Sequence, residues 1–325
     1  MLKQEPEDGQ ASLADPNFRA DVLAGLAATP RAIPARWFYD RRGSELFEAI
    51  TALPEYYPTR TEAALLESIG PELGALAARN AAVVEFGSGS SAKTPILLRA
   101  IRPAAYVPID ISGDFLRQSA RALSADFPSL PVYPVEADFL RPLPLPGEVA
   151  SLPKLGFFPG STVGNMNAYH AVDLLRAMRE WLGEGARLLI GMDRVKSPDV
   201  LIPAYDDAQG VTAAFNLNLL ERINRELSGT IPVAAFRHRA IWNADAARIE
   251  MHLEAQGDVE FTVDGRPFAM MAADTIHTEN SHKYGPNGAR MLLRAGGWTP
   301  VREWSDPQDW FALILCEAKP LRRAP

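Results

Sequence analysis

The sequence predicts an α/β protein built on a doubly wound, mostly parallel sheet, and three observations predict it. Short apolar runs alternate with helix-like segments from Ala82 to Val195. These runs are apolar almost throughout, as strands are when both faces of a sheet are covered. Gly87 and Gly89 stand where the first of them turns into a helix, the position at which such sheets open their ligand crevice.

The elements follow in order. Ala82–Phe86 reads as the first strand and TPILLRAI as the helix behind it; AAYVPIDIS, LPVYPVEADFL, KLGFFPGSTVGN and ARLLIGMDRV supply four more strands, with FLRQSARAL and the amphipathic AVDLLRAMREWL as helices among them. Before this core, a stretch from Arg31 to Gly70 alternates helical spacing with Pro-bounded turns. There Thr59 to Glu62 fits a capping box at a helix start, and Gly70-Pro71 reads as that helix's stop. Residues 1 to about 17 are polar and acidic and read as a mobile tail. From about Lys196 to Tyr284 the alternation breaks into a helical portion, VTAAFNLNLLERINREL, followed by strands. In RIEMHLEA, Ile249, Met251 and Leu253 share one face, and Asp264-Gly265 signals a hairpin turn. After the helix NGARMLLRAG, the runs TPVREWSD and WFALILCEA are expected to add an antiparallel pair to the sheet's edge.

Composition narrows the function. With 325 residues, 47% of them hydrophobic, the chain has ample material for a core. A formal charge of −7, from 33 basic and 40 acidic residues without a basic block, gives no electrostatic footprint for nucleic acid or an anionic membrane. Cys316 is the single cysteine, so a disulfide framework within the chain is excluded, and this fits a reducing, cytoplasmic compartment. The N-terminus has no apolar leader segment and no run is long enough to span a bilayer. The expected partner is a small molecule; the oligomeric state stays open, a monomer included.

The loop VVEFGSGSSAKT is a cofactor-loop candidate, because glycine lets a ligand approach the backbone. Gly87-x-Gly89-x-x-Ala92 also satisfies the dinucleotide fingerprint, with Asp110 where a ribose acid would stand. Three acids favour S-adenosylmethionine instead. Glu85 precedes the first glycine and would face the cofactor's amino-acid portion. Asp110 ends the second strand and can accept from both ribose hydroxyls. Asp138-Phe139 ends the third, an acid for the adenine amine and a ring to pack on the base.

The segments EFGSGSSAKT, LPEYYPTRTE, FPGSTVGN and IHTENSHKY closely resemble the histidine-specific α-N-methyltransferases of ergothioneine biosynthesis, which form hercynine, from about residue 18 to about 320. The resemblance implies a Rossmann-like class I methyltransferase core, residues 61–195 and 285–321, with a helix-plus-hairpin substrate-binding domain from residues 18–60 and 196–284. It implies cofactor contacts by Tyr56, Gly87, Gly89, Lys93, Asp110, Asp138 and Phe139, with Lys93 at the cofactor's carboxylate. For the substrate it implies Asn165 and Tyr205 at the carboxylate and amine end, Glu279 and Ser281 on the imidazole, and Tyr39, Tyr56, Phe215 and Met251 as walls. Tyr39 and Asn165 are the expected catalytic positions.

A sulfonium methyl is already activated, so the protein has to hold a neutral amine in line with the sulfur–methyl bond and exclude water; that chemistry needs no metal, and none is expected. A tyrosine hydroxyl or a water would relay the amine's proton. His277 and His282 flank the Glu279/Ser281 pair without an assigned role, and His170 and His238 read as surface or capping residues. Three competing readings are a methyltransferase for another small amine or aromatic amino acid, an S-adenosylmethionine-binding regulatory subunit, and a nicotinamide-dependent oxidoreductase. The Glu279/Ser281 pair opposes the first, the full set of cofactor and substrate residues the second, and the lack of a hydride-transfer constellation the third.

Overall fold

The computed structural model describes residues 15–89, 93–111, 113–138 and 144–319. Asp15 opens helix α1 (Pro16–Ala27) by accepting the Asn17 N–H at 2.8 Å. Helix thus begins before residue 18, the expected edge of the folded chain; residues 1–14 of the expected tail lie outside the described residues. β1 (Arg31–Ala32) and a 3-10 turn (Ala35–Phe38) lead to α2 (Arg41–Thr51), capped by Asp40 at the Gly43 N–H.

The next helix corrects two expectations. α3 runs from Tyr57 to Leu76, with Pro58 in its first turn, so it starts ahead of Thr59 and continues through Gly70-Pro71. Pro71 removes one helical hydrogen bond. The helix survives because Leu65, Leu66, Ile69 and Leu73 bury one stripe and because its glycines let it lie close on its neighbour: a Cβ at Gly74 would come 2.6 Å from the Ala100 carbonyl oxygen. Glu62 caps nothing; it turns inward and is fully buried.

The core then alternates as read from the sequence: β2 (Ala82–Phe86), α4 (Thr94–Ile101), β3 (Ala105–Asp110), α5 (Gly113–Asp126), β4 (Val135–Glu136), β5 (Lys154–Phe158), α6 (Ala168–Leu182) and β6 (Arg187–Asp193). After it come α7 (Pro198–Leu201), α8 (Val211–Glu226), β7 (Phe236–Asn243), β8 (Arg248–Ala255), β9 (Val259–Val263), β10 (Arg266–Met270) and β11 (Thr275–His282). α9 (Pro286–Ala295), β12 (Thr299–Ser305) and β13 (Phe311–Glu317) close the chain. The large sheet has seven strands in the order β12-β13-β6-β5-β2-β3-β4. β4, β3, β2, β5 and β6 run parallel, and the expected antiparallel pair is β13 against β6 with β12 outside it. Val83 packs with α3 and α4, Val84 with α6 and α9, which is why the strand is apolar at every position but Glu85.

A second sheet, β1-β11-β8-β7, and the β9–β10 hairpin form with α1, α2 and α8 a separate hydrophobic cluster. Asp264 and Gly265 turn the hairpin with φ of 52° and 72°. The excursion leaves the core just after Arg194 and returns at Tyr284, and those two residues bridge in parallel.

Asp193, 1% exposed, sits at that junction. Its carboxylate accepts from Tyr57 Oη at 2.7 Å and pairs with Lys196 Nζ at 2.5 Å and Lys283 Nζ at 2.7 Å. Burial pushes its carboxyl pKa up, but the two ammonium groups outweigh that and hold it below the usual value. Removing one partner of a buried pair leaves the other charge uncompensated, so Asp193→Ala is expected to cost about 3–5 kcal/mol of stability. The shift in the urea unfolding midpoint measures it; an unchanged midpoint would refute the junction's role.

Candidate active site

β2 ends in a loop that needs glycine for conformation: Gly87 and Gly89 have φ of 70° and 47°, and a Cβ on Gly89 would meet no described residue within 4 Å. Asp110, at the end of β3, accepts the Gly89 N–H at 2.9 Å, tying the acid to the loop. Asp138, just past β4, lies 3.7 Å from Arg36 Nη1, so the segment before α2 reaches the same edge. Phe139 and Ala92 fall outside the described residues.

Two expected cofactor residues have protein partners. Glu85, 2% exposed, accepts at Oε2 from Thr94 Oγ1 at 2.7 Å and from Tyr106 Oη at 2.6 Å. Burial outweighs these bonds and pushes its pKa up to about 7. Lys93 pairs with the buried Glu62 of α3, whose Oε2 also accepts the Gly160 N–H at 2.8 Å. Glu62 Oε1 has no hydrogen-bond partner among the described residues. Sequence reasoning missed Glu62 because its spacing from Thr59 suits a helix cap equally well.

The other half of the site depends on one irregularity. β11 pairs His277 with His252 but Glu279 with Met251, so Thr278 is an extra residue, a β-bulge. Strand parity flips there. Ile276 faces the inner side opposite Leu253, and beyond the bulge Glu279 and Ser281 face the same side, opposite Met251 and Ile249. The Thr278 hydroxyl lies 2.8 Å from Asn216 Oδ1 and 3.0 Å from the Met251 carbonyl oxygen. Asn216 Nδ2 donates to His238 Nδ1 at 2.8 Å, and His238 Nε2 donates to the Tyr205 carbonyl at 2.7 Å. His238 is therefore no surface residue, which corrects that expectation: burial lowers its pKa and it links the bulge to Tyr205. His170 is exposed in the first turn of α6.

Ser281 Oγ and Tyr205 Oη are 2.7 Å apart, and Lys283 Nζ donates to each at 2.8 Å. No hydrogen bond from a described residue reaches the Glu279 carboxylate. Burial, offset only by the charge of Lys283, pushes its pKa up to about 7.

Aromatic rings fill the space between the two halves. Tyr39 meets Phe47 and Phe215 edge-on at centroid distances of 5.6 and 5.8 Å, Phe47 meets Tyr56 at 6.2 Å, and Tyr56 meets Tyr205 at 6.2 Å. Burial, then the charge of Glu279 and, less strongly, Tyr56 and Asp110, hold the Tyr39 phenol well above its ordinary pKa. Its hydroxyl stays protonated, so it can pass a proton but is no strong base. Phe47 was missed from the sequence, where it reads as one apolar residue on α2. Asn165 ends the 3-10 turn Thr162–Asn165 after β5, which packs against β11: His282 Nδ1 lies 2.9 Å from the Gly164 carbonyl oxygen, and a Cβ on Gly164 would come 2.8 Å from the His282 carbonyl oxygen.

His277 lies on the outer face, its Nε2 2.9 Å from the Glu279 carbonyl oxygen. There it stacks on His252 at 4.7 Å, and with Glu250 the three offer ligand atoms within 4.8 Å of one another. This grouping was hidden from the sequence because its members come from facing strands. Arg248 already supplies its positive charge, donating from Nε to Glu250 at 2.8 Å.

A seven-stranded sheet in this order, reversed at β13, with a glycine loop after its first core strand and an acid tied to that loop, defines a Rossmann-like class I methyltransferase that uses S-adenosylmethionine. Residues 18–318 match the profile of the family described as histidine-specific, S-adenosylmethionine-dependent methyltransferase, and the chain belongs to that family. It is 40% identical over 305 residues to a histidine N-alpha-methyltransferase of Mycolicibacterium smegmatis, covering 92% of this chain and 94% of the relative. It is also 40% identical over 307 residues to the enzyme of the same name from Mycobacterium tuberculosis, with the same coverage. The crystal structure of the PH0226 protein from Pyrococcus horikoshii shares the fold, with a TM-score of 0.50 and 13% identity over 86% of this chain and all of that one. Among the described residues no helix is long and apolar enough to cross a membrane.

A carboxyl group whose folded-state pKa is raised destabilises the fold as it ionises, from the unfolded value near 4.5 up to about 7. Glu279→Gln is therefore expected to raise the melting temperature at pH 8 by roughly 2 °C or more, with the gain vanishing toward pH 4.5. Calorimetric scans at the two pH values check this; a gain independent of pH would refute it.

Proposed function

We propose that this chain transfers three methyl groups in succession to the α-amine of L-histidine, giving hercynine, the first step of ergothioneine biosynthesis. One observation carries the reading: the bulge at Thr278 sets a carboxylate with no donor among the described residues and a hydroxyl, Glu279 and Ser281, two residues apart on the inner face of β11. A neutral imidazole has one N–H to give and one lone pair to receive, and this pair complements both.

The loop and its acids fit the cofactor. A Cβ on Gly89 would meet no described residue within 4 Å, Asp110 and Asp138 are acceptors suited to ribose hydroxyls and an adenine amine, and Tyr56 and Lys93 border the same space. When bound, S-adenosylmethionine supplies a methyl group already activated on sulfur. Glu85 and Glu62 act beneath the loop, Glu85 joining β2 to α4 and Glu62 holding Lys93 in place.

On the acceptor side, Glu279 and Ser281 hold the ring, Met251 packs beside it, and Asn165 and Tyr205 take the carboxylate and amine. Tyr39 passes on the amine's proton without ionising. Tyr39, Phe47, Tyr56 and Phe215 surround the reacting nitrogen with ring faces and edges, a lining that accepts a trimethylammonium cation and excludes water. We assign residues 18–60 and 196–284 to acceptor binding, and the buried single thiol of Cys316 suits the cytoplasm.

Purified protein incubated with S-adenosylmethionine and a mixture of amino acids should yield histidine heavier by three methyl groups in the mass spectrum; another amino acid methylated in its place would overturn the proposal. Because an ionised Glu279 accepts the ring N–H more strongly than a protonated one, KM for histidine is expected to fall as pH rises through about 7. In Glu279→Gln the part of that dependence centred near 7 should disappear and kcat/KM should drop about 10- to 100-fold, leaving the titration of histidine itself; a variant whose pH profile matches the parent's would remove Glu279 from the ring site.

A further inference from the structure

Lys283 is not among the residues that the resemblance assigns, yet its ammonium is the most enclosed charge beside the acceptor pocket. Its side chain is 0% exposed. It reaches the inner face because it lies two and four residues past Ser281 and Glu279, on the row that the Thr278 bulge turned inward. Nζ lies 2.7 Å from Asp193 Oδ2, 2.8 Å from Tyr205 Oη and 2.8 Å from Ser281 Oγ. An ammonium has three hydrogens and no lone pair, so these three acceptors use it completely.

Two hydroxyls that both accept from the same lysine, and stand 2.7 Å apart, have two hydrogens between them. One hydrogen joins the pair and the other is left for the pocket. If Tyr205 gives its hydrogen to Ser281, Ser281 has both lone pairs filled, by Lys283 and by Tyr205, and its own hydrogen can only point outward. Tyr205 then keeps one lone pair, which can accept an N–H of the acceptor's amine. This direction suits both ends of a neutral histidine whose other ring N–H is taken by Glu279. The opposite direction leaves the ring nitrogen without a donor.

We infer that Lys283 is a specificity-determining positioning residue: by exhausting its hydrogens on Asp193, Tyr205 and Ser281, it fixes Ser281 as a donor toward the ring nitrogen that carries no hydrogen. A ring with C–H at that position meets a hydroxyl hydrogen that can turn away only toward Tyr205, which then points its own hydrogen at the amine end, and a buried donor left unpaired is costly. The inference rests on the reading that places the imidazole at Glu279 and Ser281.

The test compares kcat/KM for histidine with kcat/KM for an alanine bearing a pyrrole ring, which keeps one N–H and has C–H in place of the second nitrogen. In Lys283→Met, Ser281 is free to turn its hydrogen aside, so the preference for histidine should fall about tenfold or more. Tyr205→Phe removes the hydrogen given to Ser281 and should act the same way, which keeps the test decisive if Lys283→Met fails to fold. Ser281→Ala is the reference. If it too leaves the preference unchanged, the ring does not sit at Ser281 and the underlying reading fails. If Ser281→Ala lowers the preference while folded Lys283→Met only slows both substrates equally, Lys283 is structural and the inference alone is overturned.

Discussion

Asp193 closes β6 with a carboxylate that water does not reach, and three distant parts of the chain converge on it: Tyr57 at the head of α3, Lys196 where the excursion leaves the core, and Lys283 where it returns. Desolvating one acid and two ammonium groups is unfavourable, and the arrangement holds because each charge has hydrogen-bonded partners on several sides. The electrostatics thereby fix geometry more than they add stability. With those three points pinned, the second sheet is tied to the end of β6 and the head of α3 at both ends of the excursion.

Within that frame the site contains two carboxyl groups raised by burial toward neutrality, Glu85 and Glu279, and they differ in surroundings. Glu85 is satisfied by hydroxyls of the chain itself. Glu279 has no hydrogen-bond donor among the described residues, so its burial is offset only by the charge of Lys283. Tyr39, Tyr56 and Tyr205 are all held protonated by burial and by the acids around them, so the pocket is lined by neutral phenols that donate and accept without adding charge.

Much of this was legible in the sequence, for identifiable reasons. Apolar runs such as Val83-Val84 announce a sheet covered on both faces, and Asp264-Gly265 announces its hairpin, because local sterics dictate both. Glu279 and Ser281 were singled out only through resemblance, since nothing in their spacing distinguishes the inner row of β11 from the outer one. The helix boundaries at Thr59 and Gly70 misled because tertiary packing of α3 on α4 outweighs local stop signals. His238, Asn216 and Asp193 escaped notice for a different reason: their meaning lies in partners tens to hundreds of residues away, and Thr278 looks like any other strand threonine until its register is known.

The bulge at Thr278 also sets the kind of change to which the pocket is sensitive. Regular pairing through Thr278 would set that residue opposite Met251 and bring Asn280 and His282 to the inner face in place of Glu279 and Ser281. Register, set by one extra residue in a strand, thus decides which row of β11 faces inward, whatever side chains that row carries.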